Sequence, residues 1–158
     1  MNDQIIASIQ AALPDAIETS NVYLGEFTLV IRKHRIRQVC TLLRDELGFD
    51  SLRDLCGADY YRPEERFEVI YNLYALARRF RLRLKVRVDE ADLRVDSVSG
   101  VWSTANWHER ETYDMFGIRF EGHPDLRRIY LPEEFAYHPL RKDFPLMGIP
   151  GSLPLPRK

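Results

Sequence analysis

The chain has 158 residues, 30% of them charged and 45% hydrophobic, with a formal net charge of −1. That length supports one domain burying roughly 70% of its unfolded surface without a disulfide or metal staple, and the near-zero charge excludes a global field that would draw the chain onto nucleic acid or an anionic membrane. No apolar run approaches the roughly 20 residues a membrane span needs, and MNDQIIASIQ at the start lacks the basic flank and apolar core of a signal peptide, so a soluble cytosolic chain is expected, with no direct membrane insertion.

Ile5, Ile6, Ile9, Ala12 and Leu13 recur at helical spacing behind the candidate caps Asn2 and Asp3, and Pro14 closes this short amphipathic helix. Glu26 to Arg32 reads as a strand. Ile36, Val39, Cys40, Leu43 and Leu47 form the buried stripe of a second helix, which Gly48 ends. Cys40 and Cys56 have no CxxC spacing and read as small buried apolar residues in a reducing compartment. A weaker strand runs from about Leu52 to Tyr60.

Between Arg66 and Asp89 the stretch FEVIYNLYALARRFRLRLKVRV alternates with period two about a central break, which predicts a hairpin. One register sets Phe67, Val69, Tyr71 and Leu73 against Val88, Val86, Leu84 and Leu82 on a single face. The same register places Glu68 opposite Arg87 and Arg66 opposite Asp89. The other face carries Arg81, Arg83, Lys85 and Arg87. It reads as a solvated face with local ion pairs, as a grip for an acidic partner or, in a different class of function, as the phosphate track of a nucleic-acid-binding module; interleaved exposed aromatics for base stacking are missing from it.

A polar link, Glu90 to Asp96, leads to a helix from about Ser103 to Phe116, with Gly117 at the left-handed cap and a short strand-like IRF beyond. His108 and Glu109 open this helix as they would in a zinc hydrolase. A zinc site, however, needs a second histidine four residues on, where Thr112 stands, so no metal centre is expected. Glu109 falls in the middle of an apolar face with Trp102, Ala105, Thr112, Tyr113 and Phe116. Burying it unpaired would cost several kcal/mol, so guanidiniums from the C-terminal segment are expected to meet it. Arg110 and Asp114 are spaced as an i, i+4 pair beside Trp107 and Glu111, a second mixed face suited to a partner. Glu109 and Glu111 point to opposite sides, against an acid–base pair.

Seven of the nine prolines lie from Pro124 onward, which bars long helices and central strands there. Yet Leu126, Ile129, Tyr130, Leu131, Phe135, Leu140, Phe144 and Leu146 run through the segment, so it reads as an extended arm lying in a groove of its own domain or of a neighbour. HPDLRR and HPLRKD echo one another, each with a histidine, an apolar anchor and paired cations; Arg127, Arg128, Arg141 and Lys142 are expected to bond carboxylates. The fold class is therefore α+β: a small, mostly antiparallel sheet packed by two to three helices over residues 1–120, with an extended proline-rich arm over 121–158.

ANWHERETYDMFGIRFEGHPDLRRIYLPEEF, followed by HPLRKDFPL, resembles the signature of the 30 kDa subunit family of NADH-quinone oxidoreductase, respiratory complex I. The resemblance is dense from Ser97 to Leu146 and looser back to Leu52, through DLCGADY and RFEVIYNLYAL. The family pattern falls on Glu109, Arg110, Glu111, Asp114, Phe116, Gly117 and Ile118, then on Gly122, His123, Pro124, Asp125 and Leu126, and on Pro139, Leu140, Arg141, Lys142 and Asp143. Phe135 and Ala136 stand where the family usually has Trp and Gly.

The resemblance implies a cofactor-free, non-catalytic subunit of the peripheral arm, on the cytoplasmic side of the bacterial inner membrane. It would support electron transfer from NADH to quinone coupled to proton translocation. FMN and iron-sulfur clusters are then expected in partner subunits, and the partners are the quinone-site subunit and the terminal-cluster subunit. Trp107, Arg127 and Arg128 join the motif residues as expected interface or structural positions, and ending at Lys158 the chain is expected to assemble as a separate polypeptide. Related domains in membrane-bound hydrogenases and photosynthetic complexes of the same type are the alternative.

Overall fold

The computed structural model describes residues 1–145 and residue 147; Leu146 and the closing LPLPRK lie outside the described residues. In chain order the elements are α1 (Asn2–Ala12), β1 (Ile17–Tyr23), β2 (Glu26–Ile31), α2 (Ile36–Asp45), β3 (Ser51–Asp59), β4 (Phe67–Ala75), β5 (Phe80–Val88), β6 (Arg94–Asp96), α3 (Ala105–Phe116) and β7 (Arg119–Glu121). Five strands form one sheet in the order β1-β2-β5-β4-β3, every pair antiparallel except the parallel β2 and β5. The α+β class and the mostly antiparallel sheet are as expected.

The β4–β5 hairpin has the register its alternation dictates, with Phe67 opposite Val88, Val69 opposite Val86, Tyr71 opposite Leu84 and Leu73 opposite Leu82. Those eight side chains form the centre of the core, where they meet Ile5 and Ile9 of α1, Ile36, Val39, Cys40 and Leu43 of α2, and Ala105 and Phe116 of α3. One face of the sheet thus carries all three helices. The expected charge pairs across the hairpin do not follow the register. Glu68 is opposite Arg87 but bonds Lys85 and Arg62, each at 3.1 Å, while Asp89 accepts the Glu65 N–H and leaves Arg66 to other carboxylates.

Three features depart from the sequence reading. β1 is an edge strand whose side chains from Glu18 to Tyr23 are exposed, so no apolar alternation marks it. It is held by pairing with β2 across a two-residue turn in which Leu24 and Gly25 both have positive φ, 49° and 81°. The link Glu90 to Asp96 is not merely polar: β6 pairs in parallel with β7 and buries Val95 beside Phe120. Asn2 and Asp3 lie inside α1 rather than capping it, because Met1 occupies the cap position.

α3 lies against β3 at a glycine. A Cβ on Gly57 would stand 2.6 Å from Phe116 Cδ2 and 3.0 Å from Thr112 Cγ2, so only hydrogen there admits the helix at this distance. Gly117 ends α3 in the left-handed conformation, φ 79°, with its N–H donated to Tyr113 O at 2.8 Å. From Gly122 to Pro145 the chain forms no helix or strand.

Candidate functional site

The C-terminal half of α3 receives the arm, and Asp114 is the anchor. Its carboxylate is fully buried. Oδ1 accepts Arg128 Nη1 at 2.7 Å, and Oδ2 accepts three successive backbone N–H groups, Ile129 at 3.1 Å, Tyr130 at 2.8 Å and Leu131 at 3.1 Å. Burial pushes this carboxyl up, but the Tyr130 N–H, the Arg128 guanidinium and the Leu131 and Ile129 N–H groups outweigh it and hold the group below the ordinary carboxylate value. Asp114 is therefore an anion whose bonding capacity is filled by the arm. The expected pair with Arg110 does not form. Arg110 instead stacks on Trp107, 5.0 Å from the ring centroid, and donates to the carbonyls of Arg127 and Arg128 at 3.0 and 3.2 Å.

Farther along, the arm folds back over the end of the helix. Arg128 also reaches Tyr137 O at 3.1 Å, His138 Nδ1 donates to Asp114 O at 2.9 Å, Leu140 N–H to Met115 O at 3.2 Å and Arg141 Nε to Phe116 O at 2.6 Å. The last carbonyls of α3 thus receive cationic or N–H donors, as a helix C-terminus favours. Gly117 is essential here for a second reason: a Cβ would meet Arg141 Nη2 and His138 Nε2, each at 2.7 Å.

A second ionic cluster fixes the arm to the base of the β4–β5 hairpin. Arg66, almost fully buried, donates to both oxygens of Asp59 at 3.0 and 2.7 Å, to Glu90 at 2.9 Å and to Asp143 of the arm at 3.1 Å, and lies over the rings of Tyr61 and Phe67. Asp59 also accepts the backbone N–H groups of Lys142 and Tyr61, each at 2.8 Å. Burial alone would raise the Asp59 carboxyl; Arg66 and the two N–H donors bring it down to about 2.

Glu109 is buried as expected, but not against the guanidiniums of the arm. Its oxygens accept Ser97 Oγ at 2.6 Å and the Val98 N–H at 2.7 Å, both from the turn after β6, and His123 Nε2 lies 4.0 Å away. Burial pushes the Glu109 carboxyl up to about 7 despite the Ser97 and Val98 bonds and the nearby Arg37 charge. In its protonated form it donates to Ser97 Oγ, whose own hydrogen then turns to Ser99 Oγ at 2.7 Å, so both charge states find partners. His123 bridges locally, with Nδ1 accepting the Asp125 N–H at 3.0 Å and Nε2 donating to Asn106 O at 3.1 Å. His108 instead faces Asp54, 3.7 Å away, so the His108–Glu109 pair does not converge on one point.

The structure thus brings Asp114, Gly117, Arg128, Leu140, Arg141 and Asp143 into one ionic seam, with Lys142 contributing its backbone N–H. Among the described residues the Arg127 guanidinium bonds only its neighbour Asp125, at 2.7 and 2.8 Å, and with Pro124, Glu111 and Trp107, 62% exposed, it remains on the surface. Pro139 is half-buried beside His138. Sequence reading misses Asp59, Arg66, Glu90 and Ser97. The one signal for Arg66 is an isolated cation at the start of an apolar strand. On the sheet, Arg83 meets Glu26 at 2.7 Å, Lys85 meets Glu68 at 3.1 Å and Arg87 meets Glu65 at 3.1 Å, which neutralises most of the basic stripe and fits the solvated face rather than a phosphate track.

A family model described as respiratory-chain NADH dehydrogenase, 30 Kd subunit, matches residues 29–150. The corresponding NADH-quinone oxidoreductase subunit of Roseiflexus sp. (strain RS-1) is 50% identical over 147 residues, spanning 92% of this chain and 84% of that protein. That of Geotalea uraniireducens (strain Rf4) is 42% identical over 147 residues, 93% and 90% of the two chains. Among solved structures, a trypsin-resistant fragment (1–134) of Nqo5 superposes with a TM-score of 0.67 at 36% identity, covering 80% of this chain and 100% of the fragment. A chain from an archaeal membrane-bound sulfane sulfur reductase gives 0.75 at 23% identity over 91% and 85%, a likeness of fold.

Proposed function

The chain belongs to the respiratory-chain NADH dehydrogenase 30 Kd subunit family, and we propose that it serves there as a cofactor-free scaffold whose arm presents a preformed surface to its neighbours. It is a subunit of an NADH-quinone oxidoreductase, in the peripheral arm of complex I, and works among the other subunits of that complex. In this reading FMN and the iron-sulfur clusters belong to partner subunits. The neighbours are the quinone-site and terminal-cluster subunits, and the chain sits on the cytoplasmic side of the bacterial inner membrane, held there through the assembled complex. Among the described residues no helix is long and apolar enough to cross a membrane.

The observation that carries this reading is the saturation of Asp114. This fully buried anion takes four donors, all of them from the arm of its own chain, so it holds structure. What the seam leaves outward is a contact surface: Trp107 under Arg110, with Tyr130 and Leu140 on the arm, all three apolar side chains more than half exposed.

Arg127→Ala tests the assignment without opening the fold, because that side chain is 67% exposed. A tagged variant chain recovered from solubilised membranes is expected to bring down the quinone-site and cluster-bearing subunits with about fivefold weaker retention, the equivalent of ~1 kcal/mol of rim contact. NADH oxidation by the flavin module with an artificial acceptor should be unchanged. Full assembly with quinone reduction alone abolished would contradict the scaffold role.

A further inference from the structure

The face of the sheet opposite the helices carries a concavity of about 1120 Å³ between the β1–β2 turn and the β4–β5 turn. Four arginines, Arg53, Arg79, Arg81 and Arg83, line it, and among the described residues Glu26 is its only carboxylate. Arg83 is neutralised by Glu26 at 2.7 Å and held by the Asn72 amide oxygen at 3.2 Å. Arg53 stacks on Tyr74, 5.0 Å from the ring centroid, and Arg81 stands beside it, opposite Tyr74 in the β4–β5 register. Arg79 projects from the turn in a positive-φ conformation, φ 49°. The same sheet face is charge-balanced at its other end, where Lys85 and Arg87 have their own glutamates. Asp50 and Asp54 border the concavity but bond the Leu76 N–H and the Asn72 amide, so among the described residues Arg53, Arg79 and Arg81 are three guanidiniums with no carboxylate in salt-bridge contact.

The rim is apolar. Leu24, 86% exposed, caps one turn, and Leu76, 63% exposed, caps the other. A docking surface combines apolar anchor points of this kind with fixed forks that take carboxylates in bidentate fashion. Of the aromatic side chains lining the concavity, Tyr74 already carries Arg53 on its ring, Phe27 is buried, and Phe80 packs edge-on against Phe49.

We propose that this concavity docks an acidic protein segment, with carboxylates on Arg53, Arg79 and Arg81 and apolar side chains against Leu24 and Leu76. None of the residues lining the concavity belongs to α3 or the arm, so the inference goes beyond the scaffold reading and does not rest on it.

The test uses the full chain alone and a fluorescein-labelled peptide of alternating glutamate and leucine, followed by fluorescence anisotropy. Wild type and the control Arg119→Glu, at an exposed position on β7, are expected to bind alike. Arg79→Glu/Arg81→Glu should bind at least about tenfold more weakly, and Arg79→Ala/Arg81→Ala should fall between. Added salt should weaken the wild-type complex. Equal binding by wild type and the charge-reversed chain would overturn the proposal. So would displacement of the peptide by oligothymidylate or phosphatidylglycerol vesicles at lower concentration than by unlabelled peptide, since the site would then read phosphate. No partner subunit enters the assay, so its outcome is independent of the complex I assignment.

Discussion

Asp114→Ala is expected to lower the unfolding free energy by about 3–5 kcal/mol, the cost of removing one partner from a buried ion pair. The substitution strands Arg128, whose side chain is only 7% exposed, and leaves the N–H groups of Ile129, Tyr130 and Leu131 without their acceptor. These donors cannot all turn to water while the arm stays on α3, so the lower-energy response is for the arm to lift off. Urea unfolding gives the magnitude, and brief trypsin digestion gives the location. Cleavage after Arg128 should be rapid in the variant and slow in wild type. Asp114→Asn, which keeps the shape and one acceptor oxygen but loses the charge, should fall between the two. An Asp114→Ala chain with wild-type stability and trypsin resistance would show that the seam is not held by this carboxylate.

Arg66→Met should be comparably damaging at neutral pH, again about 3–5 kcal/mol, because Asp59, with its carboxylate 1% exposed, would keep only the Tyr61 and Lys142 N–H donors. This loss depends on pH with a definite sign. The folded-state value of Asp59 is about 2, below its ordinary 3.8. A depressed carboxyl adds stability that is present above the unfolded value and is lost as pH falls through the folded one, here about 2 kcal/mol between about pH 4 and pH 2. Removing Arg66 removes the strongest group holding Asp59 down while burial still raises it. The gap between wild type and variant should therefore be widest near neutrality and narrow through that acidic window. Urea titrations at a series of pH values measure it, and a gap that stays constant into acid would mean that Arg66 acts through packing on Phe67 and Tyr61 rather than through its ionic bonds.

The parts of the fold legible in the sequence are those where one periodicity governs enough residues. The β4–β5 hairpin can be registered residue by residue because a one-residue slip would move eight apolar side chains to the wrong face. α2 and the glycine-capped end of α3 are legible for the same reason, with Gly117 adopting the left-handed conformation its position requires. β1 is not: its exposed side chains carry no pattern, and it exists because β2 offers an edge. β6 is three residues long, too short to display a period.

In the site, the burial of Glu109 follows from its place on an apolar face, but its donors do not. Ser97 and Val98 come from an aperiodic turn, and their approach is fixed by the parallel pairing of β6 with β7. Asp114 is the instructive error. By spacing it belongs with Arg110 in a surface pair, yet a helical wheel knows only the helix, and here the covering layer is the arm itself. The arm's cations go to Asp114 and to the carbonyls at the end of α3 because the arm crosses that end, some distance from Glu109.

The scaffold role requires the arm to be folded onto its own domain by these ionic contacts before any neighbour binds. Amide hydrogen exchange of the isolated chain at Ile129, Tyr130 and Leu131 measures this most directly, since each N–H should be locked on Asp114 Oδ2. Slow exchange at all three, accelerated together by Asp114→Ala, is the result expected. Exchange at the rate of an unstructured peptide, while the β4 and β5 amides remain protected, would contradict it.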